Sequence, residues 1–242
     1  LIEPTRSLAQ DDIGPRLELL YDCLSDISDQ YFRSLLESLT TNLEEMDLIR
    51  IIAGLSSSIP GIFLSVPFFS AFKHMFGDRQ LINRLVTSLG HVQTPKTKKI
   101  LWMTDPYTDL NGVSMTLQTI GRLADEKGYG IHILSSLTVP QQSEDLPAAS
   151  LVIPPIHSFK LPHYEELSIN IPSVLRMLKA VYDEDPDEIY VSTPGPVGLF
   201  GLLIGRMLGT PVKGIYHNDF TMEAAAIINQ PELSSMIEQY SQ

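Results

Sequence analysis

Apolar side chains recur at alternating intervals of four and three residues early in the chain, which is the spacing of one helix face. This pattern predicts a long helix over residues 12–39, with Asp11 and Asp12 as natural caps. Further helices are predicted over residues 42–55, 68–76 and 80–89. Residues 1–95 are therefore expected to form an all-helical region.

Beyond that region, short apolar runs alternate with amphipathic helices. The predicted strands cover residues 100–104, 131–135, 151–153, 188–192 and 212–216. The predicted helices cover residues 112–127, 172–182, 195–208 and 221–228. Such alternation is typical of a parallel sheet with crossover helices. Residues 96–242 are therefore predicted to form an α/β, Rossmann-like domain.

Composition and charge narrow the class of protein. The 242 residues are 43% apolar and carry a formal net charge of -12. Because nucleic acids bind to concentrated basic surfaces, this charge argues against a nucleic-acid partner. The single Cys23 excludes an internal disulfide framework and fits a reducing, cytoplasmic compartment.

One apolar stretch raises the question of whether the chain crosses a membrane. Residues 51–72 carry no charged side chain over a length that could cross a bilayer. Pro60, Gly61 and Pro67 would break a spanning helix there. Two short buried helices or a membrane-surface patch fit this composition better, so peripheral membrane contact remains an alternative.

Three polar turns follow predicted strands, and ligands of open parallel sheets bind at the carboxyl ends of strands. In the first turn, Asn111 and Gly112 precede a predicted helix, whose amides and dipole favour an anion such as a diphosphate. Ordinary βα turn chemistry is the alternative explanation of the Asn-Gly pair. The chain lacks the full G-x-G-x-x-G fingerprint of dinucleotide-binding proteins.

The second turn is proline-rich and rigid, and it consists of Thr193, Pro194, Gly195 and Pro196. Pro196 suits the first position of a helix, and Ser192 or Thr193 could cap that helix.

The third turn contains His217, which could donate to a sugar hydroxyl or stabilise developing charge. Its alternative role is a hydrogen bond to a neighbouring loop. Asp219 could act as a general base or as a helix cap. The 6 histidines show no paired metal-ligand spacing, so no metal site is predicted.

Together these turns and their flanking elements resemble a known family. The segments ILWMTDPYTDLNGVSMTLQTIGRLADEKGYGIHILSS and DEIYVSTPGPVGLFGLLIGRMLGTPVKGIYHNDF, with their separation, resemble the N-terminal domain of the GT-B glycosyltransferases of family four. The resemblance covers about residues 98–230. It implies a retaining transferase that moves a hexose from a nucleotide-sugar donor to a lipid or glycan acceptor. This half would bind the acceptor, and a C-terminal half would bind the donor.

The resemblance also implies roles for single residues. Asn111, Gly112 and Val113 would lie by the donor diphosphate, and His217 would reach the transferred sugar. The turn at residues 193–196 would line the cleft. No metal or other cofactor is expected, because amide dipoles and basic groups of the other half could carry the charge. Without that half, the segment is expected to be inactive.

Asn218 departs from the family pattern, in which threonine is frequent, and the helical region lies outside the pattern. That region could be a tether, a homodimerising element or a lipid-facing surface. Two rival functions stay open. A sugar or nucleotide epimerase would need a Tyr-x-x-x-Lys pair, but Tyr182 and Tyr190 are each followed by proline at that spacing. A non-catalytic interaction module would bind a partner through the helical region.

Overall fold

A computed structural model describes six continuous parts of the chain and most of the residues between 67 and 89. The continuous parts are residues 13–44, 97–109, 111–138, 146–161, 164–193 and 195–215. The chain divides into two compact units. One comprises Leu1–Lys96, Ser136–Val139 and Ile153–Glu184, and the other Thr97–Ser135, Pro140–Val152 and Asp185–Gln242. Each unit is thus built from three separate segments of the sequence.

The described elements follow one another in this order: α1 (Ile13–Glu44), β1 (Ile100–Met103), α2 (Gly112–Lys127), β2 (Ile131–Ser136), β3 (Ser150–Ile153), β4 (Pro155–Leu161), β5 (Tyr164–Pro172), α3 (Val174–Glu184), β6 (Glu188–Val191), α4 (Pro196–Leu208) and β7 (Val212–Gly214). Residues described between 67 and 88 are also helical.

Five of the strands form one parallel sheet in the order β3-β2-β1-β6-β7. Its central strand, β1, pairs with β2 on one side and with β6 on the other. The predicted α/β, Rossmann-like class is therefore confirmed. All five predicted strands are present, and each ends within two residues of its predicted end. A short, nearly continuous apolar run is typical of a parallel strand whose two faces are both covered.

The two crossover helices of the second unit pack on opposite faces of the sheet. A Cβ added to Gly121 of α2 would lie 3.1 Å from the side chain of Ile133, so α2 packs on the face that Ile133 shares with its register partner Trp102. A Cβ added to Gly201 of α4 would lie 2.5 Å from the sulfur of Met103, which points to the other face. The gap between β1 and β6 is therefore the topological switch point of the sheet.

Local signals explain the ends of these helices. Helix α2 begins and ends at the predicted residues, and α4 begins one residue later than predicted. Gly128 and Gly209 terminate them in the left-handed conformation, with φ values of 66° and 72°. Glycine adopts this backbone without the Cβ clash that other residues suffer, so both helices end at a residue suited to that role.

The first unit contains α1, the helical residues between 67 and 88, α3 and an antiparallel hairpin of β4 and β5. Arg33 of α1 donates from Nε to the Ile156 carbonyl at 2.7 Å. Arg176 of α3 forms ion pairs with Asp26 at 2.5 Å and with Asp29 at 3.4 Å. Polar contacts from α1 therefore reach both the hairpin and α3.

Two features of this unit differ from the sequence prediction. Helix α1 continues to Glu44, so the predicted break before residue 42 is wrong, since no glycine or proline interrupts the chain there. The remainder of the helix predicted over residues 42–55 lies outside the described residues. The hairpin was not predicted, although β5 alternates polar and apolar residues in the manner of a half-buried strand.

Within the described part of the chain, no helix has both the length and the apolar character needed to cross a membrane. Of the apolar stretch at residues 51–72, the structure describes only Pro67 and residues 69–71. Membrane contact by that stretch therefore stays a prediction.

Candidate functional site

The candidate site lies at the carboxyl edge of the sheet, where β1 and β6 end side by side. Residues 104–109 and Asn111 follow β1 and are called the β1 loop here. Ser192, Thr193 and Gly195 follow β6 and are called the β6 loop. The Ser192 amide donates to the Met103 carbonyl at 3.2 Å, so the two loops leave the sheet together.

The β1 loop is anchored to its surroundings before it reaches α2. Tyr107 is buried, and its hydroxyl lies 2.7 Å from the Ser150 hydroxyl. The Gln118 side chain donates from Nε2 to the Tyr107 carbonyl at 2.8 Å. These contacts fasten the loop to α2 on one side and to the start of β3 on the other. The loop therefore delivers the start of α2 in a defined position.

Helix α2 begins with a local cap. The Asn111 side chain accepts a hydrogen bond from the Ser114 amide at 2.9 Å, and its carbonyl accepts one from the Met115 amide at 3.1 Å. Asn111 is extended, with φ of -138° and ψ of 164°, as an N-cap residue requires. The amides of Gly112 and Val113 belong to the first turn, where a helix offers no partner of its own. An anion could therefore bind to these amides.

Gly112 is exposed, and the fold does not require a glycine at this position. A Cβ added there would have no neighbouring atom within 4 Å, and the backbone is not left-handed. Asn111 is thus the cap of α2, and Gly112 is its first helical residue. Absence of a side chain leaves the backbone of α2 open to close approach from outside the protein.

Helix α4 begins differently, because a side chain from the β1 loop binds its first amides. The Asp105 carboxylate accepts hydrogen bonds from the Val197 amide at 2.8 Å and from the Gly198 amide at 3.3 Å. It also accepts one from the Thr193 hydroxyl at 2.6 Å, while the Asp105 amide donates back to that hydroxyl oxygen at 3.1 Å. A carboxylate is a favourable partner at the positive end of a helix dipole. The start of α4 is therefore already occupied by an anion.

Two glycines make room for this arrangement. A Cβ on Gly195 would lie 2.4 Å from the Asp105 carboxyl carbon, and one on Gly198 would lie 1.9 Å from the Thr193 carbonyl oxygen. Both distances are shorter than any real contact of a Cβ atom. Unlike Gly112, these glycines are required by the packing of the protein itself.

The role of Asp105 was not predicted from the sequence, which pointed instead to Ser192 or Thr193 as the cap of α4. The Ser192 hydroxyl accepts a hydrogen bond from the Trp102 indole, and Thr193 binds Asp105. Gly195 occupies the cap position without a side-chain hydrogen bond. A polar Thr-Asp-Pro sequence directly after a buried strand was the available signal, but it does not reveal the partner.

Burial raises the pKa of the Asp105 carboxyl above its ordinary value, although the hydrogen bonds that it accepts act in the opposite direction. The carboxylate is thus costly to bury and is stabilised by directed donors. Removing those donors would leave the charge without compensation.

The predicted site residues divide into three groups. Asn111, Gly112 and Val113 follow β1, and Thr193, Gly195 and Pro196 follow the neighbouring strand β6. Pro194, His217 and Asp219 lie outside the described residues. Their roles, and those of the described residues toward substrate, stay predictions. In the part of the chain that the structure describes, no three His, Cys, Asp or Glu side chains form a group that could hold a metal ion.

The sequence of the chain matches a known protein family. The model described as Glycosyltransferase Family 4 matches residues 110–238, more than half of the chain. The chain belongs to this family. Membership of this family indicates glycosyltransferase activity and does not specify the sugar. Among curated proteins, none matches the chain.

The Glycosyltransferase Family 4 match includes both helix starts at the switch point but only part of the capping arrangement. Asn111, Gly112 and the β6 loop lie inside residues 110–238, whereas Asp105 and Tyr107 precede them. Helix α1 also lies outside the match. The partner of the α4 amides is therefore a feature of this chain that the family match does not cover.

Proposed function

We propose that the protein transfers a hexose, with retention of configuration, from a nucleotide-sugar to a lipid or glycan acceptor. The α/β unit would form the acceptor side of a GT-B enzyme, and the donor diphosphate would bind at Asn111, Gly112 and Val113. The observation that supports this proposal most directly is the open start of α2. Among the described residues, no side chain binds the amides of Gly112 and Val113, and a Cβ on Gly112 would meet no atom within 4 Å.

The chemistry of the leaving group fits such a helix start. Glycosyl transfer releases a nucleoside diphosphate, on which negative charge develops as the bond to the sugar breaks. Backbone amides aimed at that charge stabilise it without reorganisation and are worth most in a site that excludes water. In this scheme the protein needs no metal at the diphosphate.

Residues after β7 complete the proposal. His217 would orient the transferred hexose, and Asp219 is a possible second polar contact. Thr193, Pro194, Gly195 and Pro196 would line the cleft without binding the diphosphate, because Asp105 already binds the amides at the start of α4. We also propose a cytoplasmic enzyme with peripheral membrane contact and a homodimer formed through the N-terminal helices.

The first experiment incubates the natural full-length protein with a panel of nucleotide sugars and measures release of nucleoside diphosphate. Transfer to a glycan or lipid acceptor is expected with one donor class, and proton NMR of the product should show the anomeric configuration of the donor. Inversion would contradict the retaining mechanism. Absence of turnover with every donor would favour an interaction module.

The second experiment tests the diphosphate site with Gly112→Val. A branched side chain at this exposed position should block the approach of the diphosphate, and we expect kcat/KM for the donor to fall about a hundredfold. Gly77→Val is the matched control, because Gly77 is also helical and exposed, and a Cβ there would also have no neighbour within 4 Å. Equal activity of the two variants would place the diphosphate elsewhere.

A further inference from the structure

The Asp105 carboxylate joins the two loops that flank the switch point. It belongs to the β1 loop, yet the amides and the hydroxyl that it binds all belong to the segment from Thr193 to Gly198. Reciprocal hydrogen bonds between Asp105 and Thr193 fix the direction of the carboxylate. The Ser135 hydroxyl donates to the Asp105 carbonyl at 3.3 Å and fastens the same residue from β2.

Two consequences follow for a ligand in the cleft. Because Asp105 occupies the amides of Val197 and Gly198, these two amides are not free to bind a ligand anion. Because the β1 loop continues into Asn111 and Gly112, the same carboxylate also sets the start of α2 relative to the β6 loop. Asp105 is therefore the side chain that links these two loops directly, in addition to the contacts that fasten each loop to the sheet and to α2.

We propose that Asp105 is a positioning residue for glycosyl transfer, acting through the loops that hold the donor and without touching the reacting atoms. This proposal rests on the proposed function, since it assumes that the donor lies between the β1 and β6 loops. Misplacement of reacting groups by about 1 Å can slow a reaction about a hundredfold. Loss of the Asp105 contacts should therefore lower kcat more than it raises KM for the acceptor.

The test compares variants at Thr193 and Asp105 in the full-length protein, under conditions in which thermal melts show each variant to be folded. Thr193→Val keeps the shape of the side chain but removes the hydroxyl that binds Asp105, whereas Thr193→Ser keeps the hydroxyl. Asp105→Asn keeps the size and changes the hydrogen bonding. Thr119→Val is the control, because Thr119 is an exposed residue of α2 whose hydroxyl bonds only within its own helix, to Met115.

We expect kcat to fall about tenfold to a hundredfold in Thr193→Val and Asp105→Asn, with KM for the acceptor within about twofold of the wild type. Thr193→Ser should recover most of kcat, and Thr119→Val should match the wild type. If Thr193→Val retains wild-type kcat, or if Thr193→Ser fails to recover it, the positioning role is overturned. If the wild type itself transfers no sugar, the proposed function fails first, and that outcome is distinct. If Asp105→Asn does not fold, the Thr193 pair decides.

Discussion

The starts of α2 and α4 are two helix termini of the same kind with different occupants. Both follow adjacent parallel strands, and both contain glycine in or beside the first turn. Helix α2 is capped by the residue before it, and its first residue, Gly112, is exposed. Helix α4 is capped by Asp105, which lies far away in the sequence. A helix start at a switch point is therefore a candidate anion site only where some of its first amides, such as those of Gly112 and Val113, are left without a side-chain partner.

The glycines at the two helix starts differ in the same way. A side chain on Gly112 would meet nothing, whereas one on Gly198 would collide with the backbone of the β6 loop. Glycine is thus compatible with a ligand at α2 and required by packing at α4. Glycine is therefore present for a different physical reason at each helix start.

The largest expected effect on stability is at Gly198. Gly198→Ala would put a Cβ 1.9 Å from the Thr193 carbonyl oxygen, and the helix must move to relieve the clash. We expect the free energy of unfolding to fall by about 3 kcal/mol. Gly112→Ala should change it by less than about 0.5 kcal/mol. Urea unfolding measures both, and similar losses at the two positions would contradict the contrast between the helix starts.

A smaller effect is expected from removing the two caps. Asp105→Ala leaves the amides of Val197 and Gly198 without their partner and should cost about 2 kcal/mol. Asn111→Ala removes one part-buried cap bond and should cost about 1 kcal/mol. Chemical denaturation of the two variants compares these losses. A larger loss for Asn111→Ala would mean that the Asp105 contacts contribute little.

Anion binding offers a direct comparison of the two termini. Labelling with ¹⁵N-glycine reports on Gly112 and Gly198 in one spectrum, and pyrophosphate serves as the probe. In the wild type we expect the Gly112 amide to shift and the Gly198 amide to stay, because Asp105 excludes anions from α4. In Asp105→Ala the amide signals of both glycines should shift. The reason is that an anion at a vacant helix N-terminus is stabilised by about 1 kcal/mol. A Gly198 shift in the wild type would show that Asp105 does not exclude anions.

The smallest effect concerns the opposite end of β6, where Glu188 lies between two lysines. Lys98 and Lys213 contact Glu188 at 2.7 Å and 2.9 Å, and their hydrogen bonds lower the pKa of Glu188 to about 2. Because the folded-state pKa lies below the ordinary value of 4.5, this contribution is present above pH 4.5 and is lost as pH falls toward about 2. Screening by solvent keeps the contribution small.

Glu188→Gln should remove that dependence while transfer at neutral pH stays unchanged. The measurement is the difference in unfolding free energy between wild type and variant as pH is lowered through this window. A constant difference would show that the lysines do not perturb Glu188 in the folded protein. A loss of transfer would show that the amino edge of the sheet also affects the cleft.

Local sequence patterns were sufficient to predict the strands of the parallel sheet and the helices that connect them. Helix α2 was predicted from residue 112 to residue 127, because its cap, its apolar face and its terminal glycine all lie within one short segment of the sequence. Strands β1 and β6 were predicted from short apolar runs. The β4–β5 hairpin was missed, although β5 alternates polar and apolar residues as a half-buried strand does. Its pairing also contains register shifts that no local pattern predicts. His217 and Asp219 lie beyond the described residues, so their predicted roles remain to be tested.

The amino-acid sequence by itself determined the strands and crossover helices of the parallel sheet, the α/β class and the two turns at the carboxyl edge. It did so because hydrophobic periodicity and capping act over a few neighbouring residues. Only the tertiary structure decided which of the two helix starts is open. Asp105 reaches α4 because β1 and β6 are neighbours in the sheet, and that adjacency results from the packing of the whole sheet and from no local pattern.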